Sequence, residues 1–511
     1  MIRATRNLHR LFTIARVLAR HDALGVVDLP IAALASRLLR LGQPPDHDGR
    51  PGQRLAAALV ELGPTFIKLG QALSTRADLL GEEMAADLSD LQDRLAPFPA
   101  TQARTIIADE LGMDLDQAFS SFDDVPVAAA SIAQVHFAVT TDGQEVAVKV
   151  LRPGVDRAFR RDIDLLRWLA EWVELTQPKL RRLRMVESVE TFEESVVLEM
   201  DLRFEAAAAA ELAENFRGDD SFRVPAVDWS RTAKRVLTLE RVHGIPVDER
   251  DAIAAAGLNL DEVLKKAAEA FFNMVFRDGF FHADMHPGNL FVDRDGNLVA
   301  VDFGIMGRVD KRMRRFLGEM LLGFLNGDYR RVAEVHFEAG FVPADKSVDT
   351  FTQACRSIAE PIMGKPMHEI SIARLLGQMF QITEQFSMQT QPELLMLQKS
   401  MLVAEGVGRT LDPTVNMWEL ARPLIESWMI DNLGPQTRIK ETVLGAVGAL
   451  ERLPRMLAET EKAYTAMMNG GLKLHPDTMR SMRGEDGRRG RAPGWLPWAL
   501  TAILAGLLLW K

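Results

Sequence analysis

Between residues 279 and 307 the chain reads G-F-F-H-A-D-M-H-P-G-N-L-F-V-D-R-D-G-N-L-V-A-V-D-F-G-I-M-G. Two histidines, an acid and an amide (His282, Asp284, His286, Asn289) precede two short apolar runs, Leu290-Phe291-Val292 and Leu298-Val299-Ala300-Val301. The runs are joined by Asp293-Arg294-Asp295-Gly296-Asn297, a turn-rich loop, so they predict a β-hairpin. Asp302-Phe303-Gly304 follows directly. A hairpin this tight holds the polar residues before it and the acid after it in one rigid frame.

The spacing gives the frame a chemistry. Asn289 lies five positions after Asp284, and Asp302 eighteen after it. Phosphoryl-transfer enzymes of the protein-kinase type place a catalytic-loop acid five before a Mg²⁺-binding Asn and add a D-F-G acid that holds Mg²⁺ as well. A transferring phosphoryl group carries dense negative charge, which hard oxygen ligands meet through a metal ion. Asp302 and Asn289 are then the metal candidates, and Asp284 is left to orient the attacking oxygen. The plainer alternative, a polar loop beside a D-G turn, does not account for D-F-G at that distance.

From residue 125 a loop, a strand, an Asp142-Gly143 turn and a second strand are predicted, the second ending V-A-V-K at Lys149. A strand lysine in that setting pairs nucleotide phosphates. Where a kinase lays a Gly-rich loop over the phosphates, this chain has Ala128-Ala129-Ala130-Ser131, a stiffer loop because Ala lacks the freedom of Gly to take φ > 0. The strand lysine needs a helical glutamate. Glu205 and Glu199 both qualify, on a segment read as one Ala-rich helix that also carries Asp201.

Upstream, Pro64 opens a helix after Gly63. In it Lys68 and Gln71 share a face, and Gly70 between them allows a close approach. Spacing alone reads Lys68 as a lysine snorkelling at a core edge. A strand over 236–244 ends at Gly244, where a linker between two lobes belongs. A helix over about 260–277 delivers the chain to the opening stretch, and helical periodicity resumes at Arg312 with no long activation segment.

The ends carry their own signals. Arg3, Arg6, Arg10, Arg16 and Arg20 precede the first acid, Asp22, and face away from Leu8, Leu11, Phe12, Ala15 and Leu18. Such a basic amphipathic helix suits an anionic membrane surface, a transit segment or docking on the protein's own body. At the other end, residues 495–510 hold no charge and begin and end in tryptophan. At about 1.5 Å per residue they span some ~24 Å of a ~30 Å hydrocarbon core. With Arg488, Arg489 and Arg491 just before it, the stretch is expected to be a single-pass anchor with the body on the cytoplasmic side. Lys and Arg number 61 against 71 Asp and Glu, a net charge of −10, which argues against a nucleic-acid binder. The single cysteine, Cys355, excludes an internal disulfide and fits a buried thiol in a reducing compartment.

Together these motifs resemble the UbiB/ADCK family of atypical protein-kinase-like proteins associated with ubiquinone biosynthesis. The resemblance runs over residues 53–307. The family's K-x-G-Q motif falls on Lys68, Gly70 and Gln71, its Ala-rich loop on Ala128, Ala129, Ala130 and Ser131, and its strand lysine on Lys149. Its E-x-D motif falls on Glu199 and Asp201, and its lysine-pairing glutamate on Glu205. The catalytic acid falls on Asp284, and the metal ligands on Asn289 and Asp302.

The resemblance implies an α+β, two-lobed, helix-rich fold with a K-x-G-Q helical extension and a C-terminal membrane helix. The expected organisation is a basic segment (1–50), the extension (51–124), an N-lobe (125–244), a C-lobe (245–430), a linker (431–493) and the anchor (494–511). It also implies that Lys68 turns into the nucleotide site toward Glu199 and Asp201, covering the place where a protein substrate would dock. Bacterial members often carry two C-terminal membrane helices; here one short span is found.

The expected function is an ATP-binding, Mg²⁺-dependent atypical kinase or ATPase at the bacterial inner membrane. It would support ubiquinone assembly with polyprenyl-phenol lipid intermediates and partner biosynthetic enzymes. The alternative is a catalytically silent pseudokinase scaffold that binds nucleotide and organises those enzymes. A ring hydroxylase would need a flavin or a metal. The chain has no G-x-G-x-x-G after a strand, and His282 with His286 lacks a third iron ligand.

Overall fold

The computed structural model describes residues 2–23, 49–74, 81–89, 91, 95–176, 184–361, 382–383, 385–388, 392–412 and 417–433. Met1–Met429 forms one compact unit; of a second, Ile430–Lys511, only the first residues are described.

The N-terminal helices build their own core. They are α1 (Ile2–Arg20), α2 (Pro51–Leu62), α3 (Pro64–Ser74) and α4 (Glu82–Ser89). Ile14 and Val17 of α1 meet Leu59, Leu62, Phe66, Ile67 and Leu88 in one buried cluster. The basic face of α1 is turned to account: Arg10 bonds both oxygens of Asp162, at 2.8 and 2.9 Å, and its guanidinium lies 5.4 Å from the Phe66 ring centre. Of the three destinations open to this helix, the structure has it on the protein's own body.

Then come α5 (Ala100–Leu111), the short α6 (Leu115–Ala118), β1 (Phe119–Phe122), β2 (Ala128–Ala129), β3 (Ala133–Thr140) and β4 (Glu145–Leu151). Next are α7 (Val155–Thr176), α8 (Met185–Glu199), α9 (Leu202–Asn215), β5 (Phe222–Arg223) and β6 (Val236–Glu240). The strands β1, β3, β4 and β6 form an antiparallel sheet in that order, with β2 added on β3. On β4, Val146, Val148 and Val150 pack with Ile106 and Ile107 of α5. Alternation therefore turns Lys149 to the opposite face.

The segment read as one Ala-rich helix is two. Asp201 is the N-cap of α9, accepting from Arg203 N, and the chain turns at Met200. A short polar side chain at that position satisfies helix-start N–H groups better than it continues a helix. The corner is held by Leu202 N donating to Lys234 O at 2.9 Å.

After β6 come β7 (Ile245–Pro246), α10 (Arg250–Ala255), α11 (Leu260–Phe272), β8 (Phe280–His282), β9 (Leu290–Val292), β10 (Leu298–Ala300) and β11 (Met306–Arg308). The expected helix over 260–277 keeps α-geometry only to Phe272; Asn273–Asp278 is a π-helical turn. It ends at Gly279, whose φ of 68° is left-handed and where a Cβ would meet Val309 O at 2.4 Å. The predicted hairpin is β9–β10, and β8 pairs with β11 across it in sequence. Further helices follow: α12 (Lys311–Leu325), α13 (Tyr329–Glu338), α14 (Val348–Ala359), α15 (Pro392–Leu411) and α16 (Met417–Leu433). Cys355 is a buried free thiol on α14.

The fold is therefore α+β, as expected. No helix among the described residues is long and apolar enough to cross a membrane, and the stretch 494–511 lies outside them.

Candidate functional site

Lys149 lies in the middle of the sheet, its β4 backbone flanked by Val135 on β3 and Leu237 on β6. Its ammonium donates to both oxygens of Glu205 (2.8 and 3.0 Å) and to Asp302 Oδ1 (2.9 Å). Glu205 sits in the first turn of α9, with Ala206, Ala209 and Leu212 on the buried side. This settles the choice between the two glutamates: the corner at Met200 sends Glu199 elsewhere.

The three charges set one another. Burial opposes the charge on Lys149, but Asp302 and Glu205 override it and hold the ammonium well above its usual range. The surrounding protein works to raise Asp302, whose side chain keeps 46% of its surface accessible, yet Lys149, then Lys68, depress it far below the carboxylate range. For Glu205 burial wins over Lys149 and pushes the carboxyl up to about 7. Asp302 is also the one member with unusual backbone, φ 63°. A non-glycine residue held left-handed costs about 1–2 kcal/mol, a price paid where the surroundings over-determine the conformation.

The catalytic-type loop is fixed from beneath by its first histidine. His282 is fully buried; its Nδ1 accepts from Asp284 N at 3.1 Å, which leaves Nε2–H to donate to Val301 O at 3.4 Å. Burial keeps the ring neutral, as that tautomer requires. His282 also meets the buried Phe303 ring edge-on. It is thus a brace between the loop and D-F-G rather than a base. His286 caps the turn at Pro287–Asn289 through Gly288 N.

Asn289 donates its amide N–H to Asp284 O at 3.1 Å, which turns its oxygen into the available ligand atom. Val301 N donates to Asn289 O at 2.9 Å, so Asn289 and Asp302 are locked one residue apart across the hairpin. An amide oxygen and a carboxylate suit a hard cation that completes its shell with phosphate and water oxygens. No cluster of three or more His, Cys, Asp or Glu that could cage a metal occurs among the described residues.

The Ala-rich loop is stiff for a reason beyond composition. Ala128 and Ala129 pair with Val135 and Gln134, Ala130 N donates to Ala133 O, Arg152 Nε donates to Ala130 O at 2.9 Å, and Ser131 is fully buried.

The K-x-G-Q helix closes over this. Lys68 Nζ lies 2.9 Å from Glu199 Oε2, both largely buried, and its charge reaches Asp302. Asp201 is engaged differently from the expectation: its carboxylate is bidentate with Arg203, at 2.8 and 2.6 Å. Gly70 does permit a close approach, but of the protein's own side chains: a Cβ there would lie 2.7 Å from Leu59 and 2.8 Å from Leu91. Gln71 is half-buried beside it.

One site residue escaped the sequence. Lys399, on α15, places Nζ 2.9 Å from Asp284 Oδ1. The signal was available: a lone cation in the apolar helical run L-L-M-L-Q-K-S-M-L-V, the same pattern that singled out Lys68.

The chain is similar to known proteins along most of its length. The ABC1 atypical kinase-like domain matches residues 90–336, and the UbiB helical domain matches 355–416. A protein of Marinobacter nauticus named probable protein kinase UbiB is 41% identical over 91% of this chain and 86% of its own. One of that name from Erwinia tasmaniensis is 37% identical over 98% and 93%. Among solved structures, the Rv3197–erythromycin complex from Mycobacterium tuberculosis is 28% identical, covers 73% of this chain and 95% of its own, and has a TM-score of 0.49.

Proposed function

Since the chain belongs to the UbiB family of ABC1-type atypical kinases, we propose that it binds Mg²⁺-ATP between its lobes. It hydrolyses the nucleotide or transfers its phosphoryl group in support of ubiquinone assembly at a membrane. The observation that carries this is the Lys149–Glu205–Asp302 cluster standing over a loop that presents Asp284 and Asn289.

In this reading Lys149 binds the α and β phosphates, and Glu205 keeps it extended toward them. Asn289 and Asp302 would hold Mg²⁺, which would supply positive charge opposite the phosphate oxygens. Asp284 orients the attacking oxygen and takes its proton. The Ala128–Ser131 segment lies over the phosphates. Helix α3 and the Lys68–Glu199 pair exclude a folded protein from the approach, which favours water or a small lipid acceptor. Residues 494–511 serve as a cytoplasmic-side anchor that brings polyprenyl-phenol intermediates and partner enzymes to the site.

The second reading, a nucleotide-holding scaffold, has one observation in its favour: β2 ties the Ala-rich loop into the sheet, limiting the backbone N–H groups free to follow a moving phosphoryl group. ATP turnover separates the two. With membranes and a phenolic lipid mimic, Asp302→Asn is expected to lower turnover by about a hundredfold or more, the scale of a lost transition-state ligand. Equal turnover in wild type and variant refutes the catalytic assignment.

A further inference from the structure

Each acid facing the proposed phosphate site has one oxygen on a lysine. Asp302 Oδ1 is on Lys149, from the sheet. Asp284 Oδ1 is on Lys399, from α15, which lies inside the region matched by the UbiB helical domain and outside that matched by the kinase-like domain. The pair is not a buried structural bridge: Lys399 and Asp284 keep 36% and 27% of their side-chain surface accessible. Pairs so open contribute little to folding.

The helix carrying Lys399 is nevertheless firmly set. Leu397, Val407 and Leu411 are buried in the same core as Met285 and Leu290, which flank the catalytic-type loop. Ser400, next to Lys399, is fully buried, and Arg250 Nε donates to Leu411 O at 2.9 Å. A mobile surface lysine would not be mounted this way.

Asp284 needs such a partner. During transfer the attacking O–H loses its proton to a carboxylate oxygen as the new O–P bond forms. The bond from phosphorus to the β–γ bridging oxygen breaks, its electron pair leaving with ADP. A bare carboxylate so close to the terminal phosphate would repel it and would be free to rotate. Tying Oδ1 to an ammonium fixes the plane of the carboxylate, leaves Oδ2 as the proton acceptor and offsets the repulsion. Among the described residues, His286 Nε2 lies 4.0 Å from Oδ2.

We infer that Lys399 is a positioning residue for Asp284, so that the C-terminal helical domain completes the phosphoryl-transfer site of the kinase-like core. This rests on the ATP-dependent reading above. The test uses the full-length chain in detergent-lipid micelles with Lys399→Met, Lys399→Gln, Lys399→Arg and Asp302→Asn. It measures phosphate release and the dissociation constants of Mg²⁺-ATP and Mg²⁺-ADP.

The neutral variants are expected to lose about tenfold or more in kcat. They should also lose several-fold in the preference for ATP over ADP, since only ATP brings a phosphate to Asp284, and Lys399→Arg should recover most of both. Wild-type kcat and nucleotide preference in Lys399→Met and Lys399→Gln, alongside an inactive Asp302→Asn, overturn the inference while leaving the function intact. Equal losses in the Arg and neutral variants mark a packing role and also overturn it. If wild type binds nucleotide without turnover, the catalytic reading fails and an unchanged ATP-to-ADP preference in the neutral variants overturns the role of Lys399. Absence of nucleotide binding by wild type overturns both.

Discussion

Gly307→Ala tests how the strands beneath the site are packed. Gly307 on β11 pairs with Phe281 on β8, and a Cβ at 307 would lie 2.1 Å from Phe281 Cζ and 2.5 and 2.6 Å from the adjoining ring carbons. Ordinary carbon contacts are about 3.5 Å or more, so the ring tip must withdraw by roughly 1.4 Å. It has nowhere to go, because Phe281 is fully buried and its own backbone is bonded to the strand that carries the intruding methyl. Overpacking typically costs about 1–3 kcal/mol, and a rigid ring between strands puts this case near the top.

The discriminating assay is a double-mutant cycle by urea unfolding of the full-length protein. Phe281→Leu alone costs about 1–2 kcal/mol through lost burial. With the ring tip gone the new methyl fits, so the double variant should cost little more than Phe281→Leu, a coupling of about 2–3 kcal/mol. Single-site costs that add to within about 0.5 kcal/mol refute the packing argument. Because β8 and β11 carry His282 and the residues after Asp302, nucleotide turnover should fall in Gly307→Ala and return in the double variant.

Two other outcomes follow from the charges. Burial lowers the pKa of His136, His282 and His336 from 6.5, so below that pH the unfolded chain binds protons that the folded chain refuses. Stability should drop as pH falls through 6.5, by up to about 1.4 kcal/mol per pH unit per histidine. Glu205, raised from 4.5 to about 7, has the opposite sign and offsets one histidine between those values. Unfolding midpoints that rise on going from pH 7.5 to 5.5 would contradict the assignment of neutral histidines. Separately, Glu199→Gln removes one charge partner of Lys68, worth about 1–2 kcal/mol in a largely buried pair. Amide exchange over 64–74 should accelerate about tenfold or more, and unchanged protection there would show that the pair does not hold the cover.

What the sequence made legible was whatever the local chain dictates. The 284/289/302 spacing is set by one hairpin of fixed size, so the backbone bond from Val301 to Asn289 follows from the chain alone. Lys149 was legible because strand alternation assigns its face. The choice between Glu199 and Glu205 came from the family resemblance and not from periodicity, which runs smoothly through 199–215 and hides a helix start; Asp201, a good N-cap, was the local signal. The π-turn at Asn273–Asp278 slips the helix by a residue without changing its composition. Gly70 announced a close approach but not what approaches, and Leu59 and Leu91 are distant-in-sequence answers. Lys399 meets an acid 115 positions away, a pairing that no periodicity encodes.

The corner at Met200 has a mechanical consequence. One arm ends in Glu199, which grips the lysine of the cover; the other begins with Asp201 and carries Glu205, which grips the lysine proposed to hold phosphate. The two arms meet at a single bend held by the Leu202–Lys234 backbone bond, so on the proposed reading the cover and the phosphate-holding lysine are joined through one short stretch of chain. Thermodynamic reciprocity fixes the exchange: by whatever factor nucleotide shifts the cover's opening, opening shifts nucleotide affinity by the same factor. On the proposed reading, a molecule at the outer surface of α3 would have a route to the nucleotide site without entering it.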